Sequence, residues 1–203
     1  MPQRVRLVLI GVFACLFAGF LGAWVAAYNA AGERDLAPDP GAPFEGALRP
    51  PGTMVPDFAL RDQDGKAVTP ASHRGRVAVY AFVYSHCEDV CPIEVQQIRG
   101  AMDRLGNDVP VIGVSVDPAN DTRDSARAFL IKNHMTGRMA FAMGSEAELR
   151  PVWKAFGIAP QTKGRDHSAH VVIVDAQGRQ RLGYPGSEVR VTALEADLRR
   201  LGA

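Results

Sequence analysis

The stretch from Val77 to Pro92 reads VAVYAFVYSHCEDVCP. Its first half, Val77 to Tyr84, is apolar almost throughout, the pattern of a central strand covered on both faces. The second half is polar and holds Cys87 and Cys91, with Pro92 directly after the second cysteine. Open α/β sheets carry their sites at the carboxyl ends of strands, so chemistry is expected in this loop. Downstream, the pattern predicts a helix from about Ile93 to Leu105 and a strand from Val109 to Val116 (VPVIGVSV). Asp121 or Thr122 caps a helix reaching about Asn133, Met139 to Met143 reads as a short strand, and Ser145 with Glu148 forms a capping box for a helix ending near Phe156. The strand His170 to Val174, a turn at Asp175 to Gly178, a short strand Arg179 to Leu182 and a terminal helix from about Glu188 complete the series. Upstream lie Phe58 to Leu60 and a turn at Asp62 to Gly65. Such alternation predicts an α/β sheet with helices on both faces.

Composition narrows what this domain does. The chain has 203 residues, 47% hydrophobic and 22% charged, which excludes disordered and fibrous classes. Its 23 basic and 22 acidic residues give a net charge of +1, without the positive field that a nucleic-acid binder needs. Three cysteines are too few for a disulfide-built scaffold.

Leu7 to Ala27 is a run of 21 residues without a charge, long enough for a transmembrane helix and longer than the apolar core of a typical cleaved signal. Arg4 and Arg6 precede it, which keeps the N-terminus cytoplasmic and places everything after Tyr28 outside the cytoplasm. Residues 1–28 are thus expected to be a stub and anchor. Six of the 14 prolines fall between Ala31 and Pro56, and residues 29–54 read as an extended tether. Residues 55–203 are expected to form the folded domain.

Proline favours the first helical position, which would put Cys91 at the N-cap, its sulfur beside unpaired N–H groups and the positive end of the dipole. Cys87, four residues earlier, would be close enough to share a metal ion with it or to bond to it. Three readings stand open: a structural staple, a redox dithiol, and a soft-metal site. A staple closing so short a loop gives only about 2 kcal/mol. Cys15 lies in the apolar run and reads as a lipid-facing filler.

Five histidines could add a ligand. His73 and His134 stand in polar, loop-like surroundings and read as solvated. His86 adjoins Cys87, but neighbours in an extended segment point opposite ways. His170 opens the apolar run HVVIV and reads as a packed strand residue, whereas His167 lies in the preceding loop beside Asp166. Met135, Met139 and Met143 share no face and read as core filling, as do Trp153 and Phe156. Asp117 and Asp121 read as residues that shape a turn and cap a helix.

From about Val55 onward the chain resembles the Sco/SenC copper proteins that assist assembly of cytochrome c oxidase. The resemblance rests on Pro56-Asp57-Phe58-Ala59-Leu60 with Asp64-Gly65, on Cys87-x-x-x-Cys91-Pro92, on Val114-Ser115-Val116-Asp117-Pro118 with Asp121-Thr122, and on Asp166-His167-Ser168 ahead of a strand. It implies a thioredoxin-like fold, a central mixed sheet behind an N-terminal transmembrane helix. It also implies copper ligands at Cys87, Cys91 and His167, on a domain facing the periplasm or the mitochondrial intermembrane space. Monovalent copper suits two thiolates and an imidazole, and divalent copper could be held with an added oxygen. The implied partners are the oxidase subunit with the dinuclear copper site, an upstream copper donor and a thiol reductase. Glu88 departs from the family, which commonly has proline there.

The alternative reading is a thiol–disulfide oxidoreductase with Cys87 and Cys91 as its redox pair. Redox thioredoxins use C-x-x-C, one residue shorter. Peroxidases of the peroxiredoxin type resemble such a domain but place Thr or Ser three residues before the reactive cysteine, where Tyr84 stands here.

Overall fold

A computed structural model describes residues 17, 19–24, 44–106, 109–161 and 169–203. The chain divides into two compact units, Met1–Ala42 and Pro43–Ala203. In the first unit, residue 17 and residues 19–24 are helical, with Phe17, Phe20, Leu21 and Trp24 exposed. Among the described residues no helix is long and apolar enough to cross a membrane. Most of the run from Leu7 to Ala27, including Cys15, lies outside the described residues.

The second unit runs β1 (Ala47–Leu48), β2 (Leu60–Arg61), β3 (Ala67–Val68), a 3-10 turn (Pro70–His73), β4 (Ala78–Val83), α1 (Val90–Leu105), β5 (Val111–Ser115), α2 (Arg123–Lys132), β6 (Met139–Ala142), α3 (Glu146–Phe156), β7 (His170–Val174), β8 (Gln180–Pro185), a second 3-10 turn (Gly186–Glu188) and α4 (Val191–Arg200). Six strands form a mixed sheet in the order β1-β8-β7-β4-β5-β6, with β4, β5 and β6 parallel and β7 antiparallel to β4. The strand read as central from its apolar run is central, and every residue of β4 is fully buried.

Alternation along β4 divides the core in two. Val79, Ala81 and Val83 join α1, α2 and α4 on one face, together with Cys87 and Cys91. Ala78, Tyr80 and Phe82 join Leu149, Val152, Trp153 and Phe156 of α3 on the other. Of the two caps offered for α2, Asp121 or Thr122, the structure has Thr122, whose hydroxyl accepts from the Ser125 N–H, and the Ser145 hydroxyl accepts from the Glu148 N–H as expected. Helix α1 lays Cys91, Val95, Ile98 and Met102 along its buried stripe and stops at Gly106, whose φ of 73° no β-carbon has to tolerate.

The packed unit begins earlier than residue 55, which corrects the tether boundary. Phe44 packs on the core, Ala47 and Leu48 pair with Gly183 and Leu182, and Met54 bridges to Arg179. The physical reason is Asp197, fully buried on α4. Its carboxylate accepts from the backbone N–H of Glu45 at 3.0 Å and of Gly46 at 2.8 Å, accepts from the Tyr184 hydroxyl, and pairs with Arg200 at 3.1 Å. Donors that a proline-rich segment would otherwise leave to water are thereby satisfied inside the fold. His73, read as solvated, is also buried: the first 3-10 turn lays its Nε2 2.5 Å from the Tyr80 hydroxyl. Burial holds the His73 imidazole below its usual range and pushes the Tyr80 phenol up.

Candidate metal and redox centre

At the carboxyl end of β4 the chain turns sharply. The Cys87 N–H donates to the Tyr84 carbonyl at 3.2 Å, and the turn is tied to the end of β5 through Asp121. Asp121 Oδ1 accepts from the Ser85 N–H and the Ser85 hydroxyl, both at 2.7 Å, while Oδ2 accepts from the Ser115 hydroxyl at 2.5 Å. Asp121 therefore does more than shape a turn. It fixes the loop that carries the cysteines, and the cap of α2 is Thr122.

Helix α1 begins one residue before Cys91, with Asp89 as N-cap, so Cys91 is its second residue and Pro92 its third. This corrects the placement of Cys91 at the N-cap. Every N–H of the first turn lacks an intrahelical acceptor, so proline fits the third position as well as the first. The consequence is an exchange of roles between the sulfurs. Asp89 makes no side-chain cap, and it is Cys87 Sγ that accepts a first-turn N–H, that of Cys91, at 3.3 Å.

The two sulfurs are buried, Cys87 with 6% exposure and Cys91 with none, and no disulfide joins them. The hydrogen bond from the Cys91 side chain, helped by the Cys91 and Asp89 backbone and the Tyr84 side chain against the opposing effect of burial, lowers the Cys87 thiol to about 6. Donating that bond, together with burial, pushes the Cys91 thiol far up. The pair is thus asymmetric, a thiolate at the helix mouth and a thiol behind it.

Glu94 was not singled out in the sequence, although it interrupts the apolar stripe of Cys91, Val95, Ile98 and Met102, a signal readable from spacing alone. It is fully buried, and among the described residues neither carboxyl oxygen has a hydrogen-bond partner. Gly186 makes room for it: a Cβ there would stand 2.5 Å from Glu94 Oε2 and 2.6 Å from Ala169 Cβ. Burial first, then the charge of Cys87, raises the Glu94 carboxyl well above the usual range. A raised folded-state value means that the fold holds a proton the unfolded chain releases, so this contribution to stability is whole below the ordinary glutamate range and is lost as pH rises above it. Glu94→Gln, neutral throughout, should therefore unfold in urea with little change at pH 4 and at higher denaturant than the parent at pH 8, a gap on the order of 1–3 kcal/mol. Equal curves for the two chains at both pH values would count against this account.

His167 and Asp166 lie in 162–168, outside the described residues. His170 is half-buried at the start of β7, paired with Pro185, and alternation puts it on the opposite sheet face from Val171 and the cysteines, as a packed strand residue. Burial lowers its imidazole. Met135 and Met139 are buried in the core beside the sheet. His86 and His134 are exposed. Among the described residues no three of His, Cys, Asp and Glu converge on one metal position, so the described part of the centre is the sulfur pair.

The SCO1/SenC family model matches residues 46–202. The SCO1 protein homolog of Bacillus subtilis is 28% identical over 144 residues, which is 66% of this chain and 75% of that protein. The mitochondrial SCO1 homolog 1 of Arabidopsis thaliana is 28% identical over 119 residues, 57% of this chain and 35% of that protein, so the match spans about a third of that relative's length. Among solved structures, copper-bound ScoI of Bradyrhizobium japonicum superposes with a TM-score of 0.61 at 30% identity, over 73% of this chain and 99% of that one. Sheet order, the paired sulfurs at the end of the central strand and these matches agree: the chain belongs to the SCO1/SenC family.

Proposed function

We propose that this protein is a membrane-anchored copper-binding assembly factor that passes copper to the dinuclear site of a cytochrome c oxidase. The observation that carries the reading is the sulfur pair, Cys87 Sγ accepting from the Cys91 N–H at 3.3 Å at the mouth of α1 in a SCO1/SenC chain. Two sulfurs four residues apart suit a soft monovalent ion. The third ligand in this reading is His167, whose neutral imidazole completes a low-coordinate set, and divalent copper would add an oxygen ligand. Support for copper comes from the Bradyrhizobium relative, solved with copper bound. The anchor is the run Leu7–Ala27, single-pass with the folded domain extracytoplasmic, and the segment leading into Phe44 is the tether that lets the domain reach a partner in the same membrane. An upstream copper donor and a thiol reductase keep it loaded and reduced.

Titrating the reduced full chain with Cu(I) tests this: binding should saturate near one equivalent, with sulfur and nitrogen around copper in X-ray absorption. Absence of tight binding would remove the reading.

A second function is favoured by the asymmetry of the pair. One lowered thiol beside one raised thiol is the arrangement of an attacking and a resolving cysteine, as in a thiol–disulfide oxidoreductase acting on partner cysteines.

A further inference from the structure

In an extended segment His86 and Cys87 would point opposite ways. The segment is not extended: Tyr84 to Cys87 form a closed turn, so that expectation falls away. What remains is a hydrogen-bond network that fixes which nitrogen of the His86 ring carries the proton. The Ser85 hydroxyl lies 2.7 Å from Asp121 Oδ1, 2.8 Å from Ser125 Oγ and 3.0 Å from His86 Nδ1, and it has one proton to give. Ser125 Oγ, which also accepts from the Thr122 N–H at 2.9 Å and donates to the Thr122 carbonyl at 3.1 Å, competes with Asp121 for that proton, and with either acceptor none is left for the ring. The carboxylate is the stronger acceptor and the shorter contact, so the Ser85 proton goes to Asp121. Ser85 Oγ is then an acceptor toward the ring, and His86 Nδ1–H must donate to it. Neutral His86 accordingly keeps a bare lone pair on Nε2, the condition under which an imidazole ligates a metal.

Exposure gives that lone pair a task. Cys87 is 6% exposed and Cys91 not at all, whereas His86 is exposed on the same turn. On this turn the imidazole is the solvent-facing donor beside a buried sulfur pair.

We propose that His86 Nε2 is the landing ligand through which monovalent copper enters and leaves the sulfur pair, a role that rests on the copper-binding reading above. Entry is ligand exchange without electron transfer. The Nε2–Cu bond forms as a donor–Cu bond breaks; Cys87 thiolate then takes the ion as Nε2–Cu breaks; Cys91 binds last, and its thiol proton leaves to water.

The test uses the full chain in detergent with Cu(I) supplied as its bathocuproine disulfonate complex. The rate of uptake is read by stopped-flow and the affinity by equilibrium competition, for the parent and for His86→Asn. Uptake should slow about 10-fold, the scale of ligand-environment changes, while affinity stays within about 3-fold. Long-range 1H–15N spectra of the copper-free chain should show His86 protonated at Nδ1 and bare at Nε2, and Ser85→Ala should remove that preference. A His86→Asn chain that loads at the parent rate, a loss of affinity as large as the loss of rate, or protonation at Nε2 would each overturn the proposal while leaving the copper reading intact. A parent chain that takes up no Cu(I) at all overturns both.

Discussion

Carried upward in pH, the reduced full chain bearing Cys15→Ser, which leaves Cys87 and Cys91 as its thiols, should release one thiol proton with a midpoint near 6, seen as one thiolate's worth of ultraviolet absorbance, and no second until far into alkali. The first proton belongs chiefly to Cys87. Its sulfur collects hydrogen bonds from the Cys91 thiol and from first-turn backbone donors, all of which favour the anion, and these outweigh the burial that opposes it. Cys91 gives its proton to that same bond and sits wholly buried, so a second negative charge beside the first is strongly resisted. Two coupled groups of this kind titrate as a pair, one step low and one step high. Cys87→Ser should abolish the low step. Cys91→Ala removes the largest single support of the thiolate, the hydrogen bond donated by the Cys91 side chain, and should carry the step up toward the ordinary thiol range. Two steps lying together in that range, or a low step that survives Cys87→Ser, would refute the assignment.

The same pair shows where sequence reading succeeds and where it stops. The apolar run Val77 to Tyr84 announces a doubly covered strand, and β4 is one; Asp121 or Thr122 announces the start of α2 to within a residue, and Ser145 announces that of α3. These signals are local, and local rules suffice. Proline is tolerated at every position of a first turn, so Pro92 does not by itself locate the start of α1, and the small difference in start gives the anion-favouring role to Cys87 rather than Cys91. Residues 44–54 looked like a tether because prolines and glycines bury little by themselves. They are held by Asp197, about 150 residues away, which no local pattern reveals. His73 is buried for a similar reason, since its partner Tyr80 lies across a 3-10 turn that the sequence does not announce. Asp121 was read as a capping residue, and its tie to Ser85 depends on β4 and β5 lying side by side, a tertiary fact.

Removing either sulfur should lower the affinity for Cu(I) by more than about 100-fold, beyond the 10–100-fold that changes around a ligand bring, whereas His167→Ala should lower it by about 10-fold or more. The order follows from ligand chemistry. Monovalent copper is soft, and a serine hydroxyl in place of either thiolate offers a hard, neutral oxygen that the ion hardly prefers to water. Loss of the imidazole leaves a two-sulfur site, which still satisfies a low-coordinate ion, so the deficit is smaller. Competition against a Cu(I) chelator measures all three variants on one scale. The oxidoreductase reading makes a different demand on the same proteins: both cysteine variants should lose disulfide exchange with a partner dithiol, and His167→Ala should retain it, because electron exchange between sulfurs needs no imidazole. An imidazole variant that keeps full copper affinity would separate the two functions in favour of thiol exchange. One that loses copper while retaining disulfide exchange would assign His167 to metal binding and leave the sulfurs to serve both chemistries.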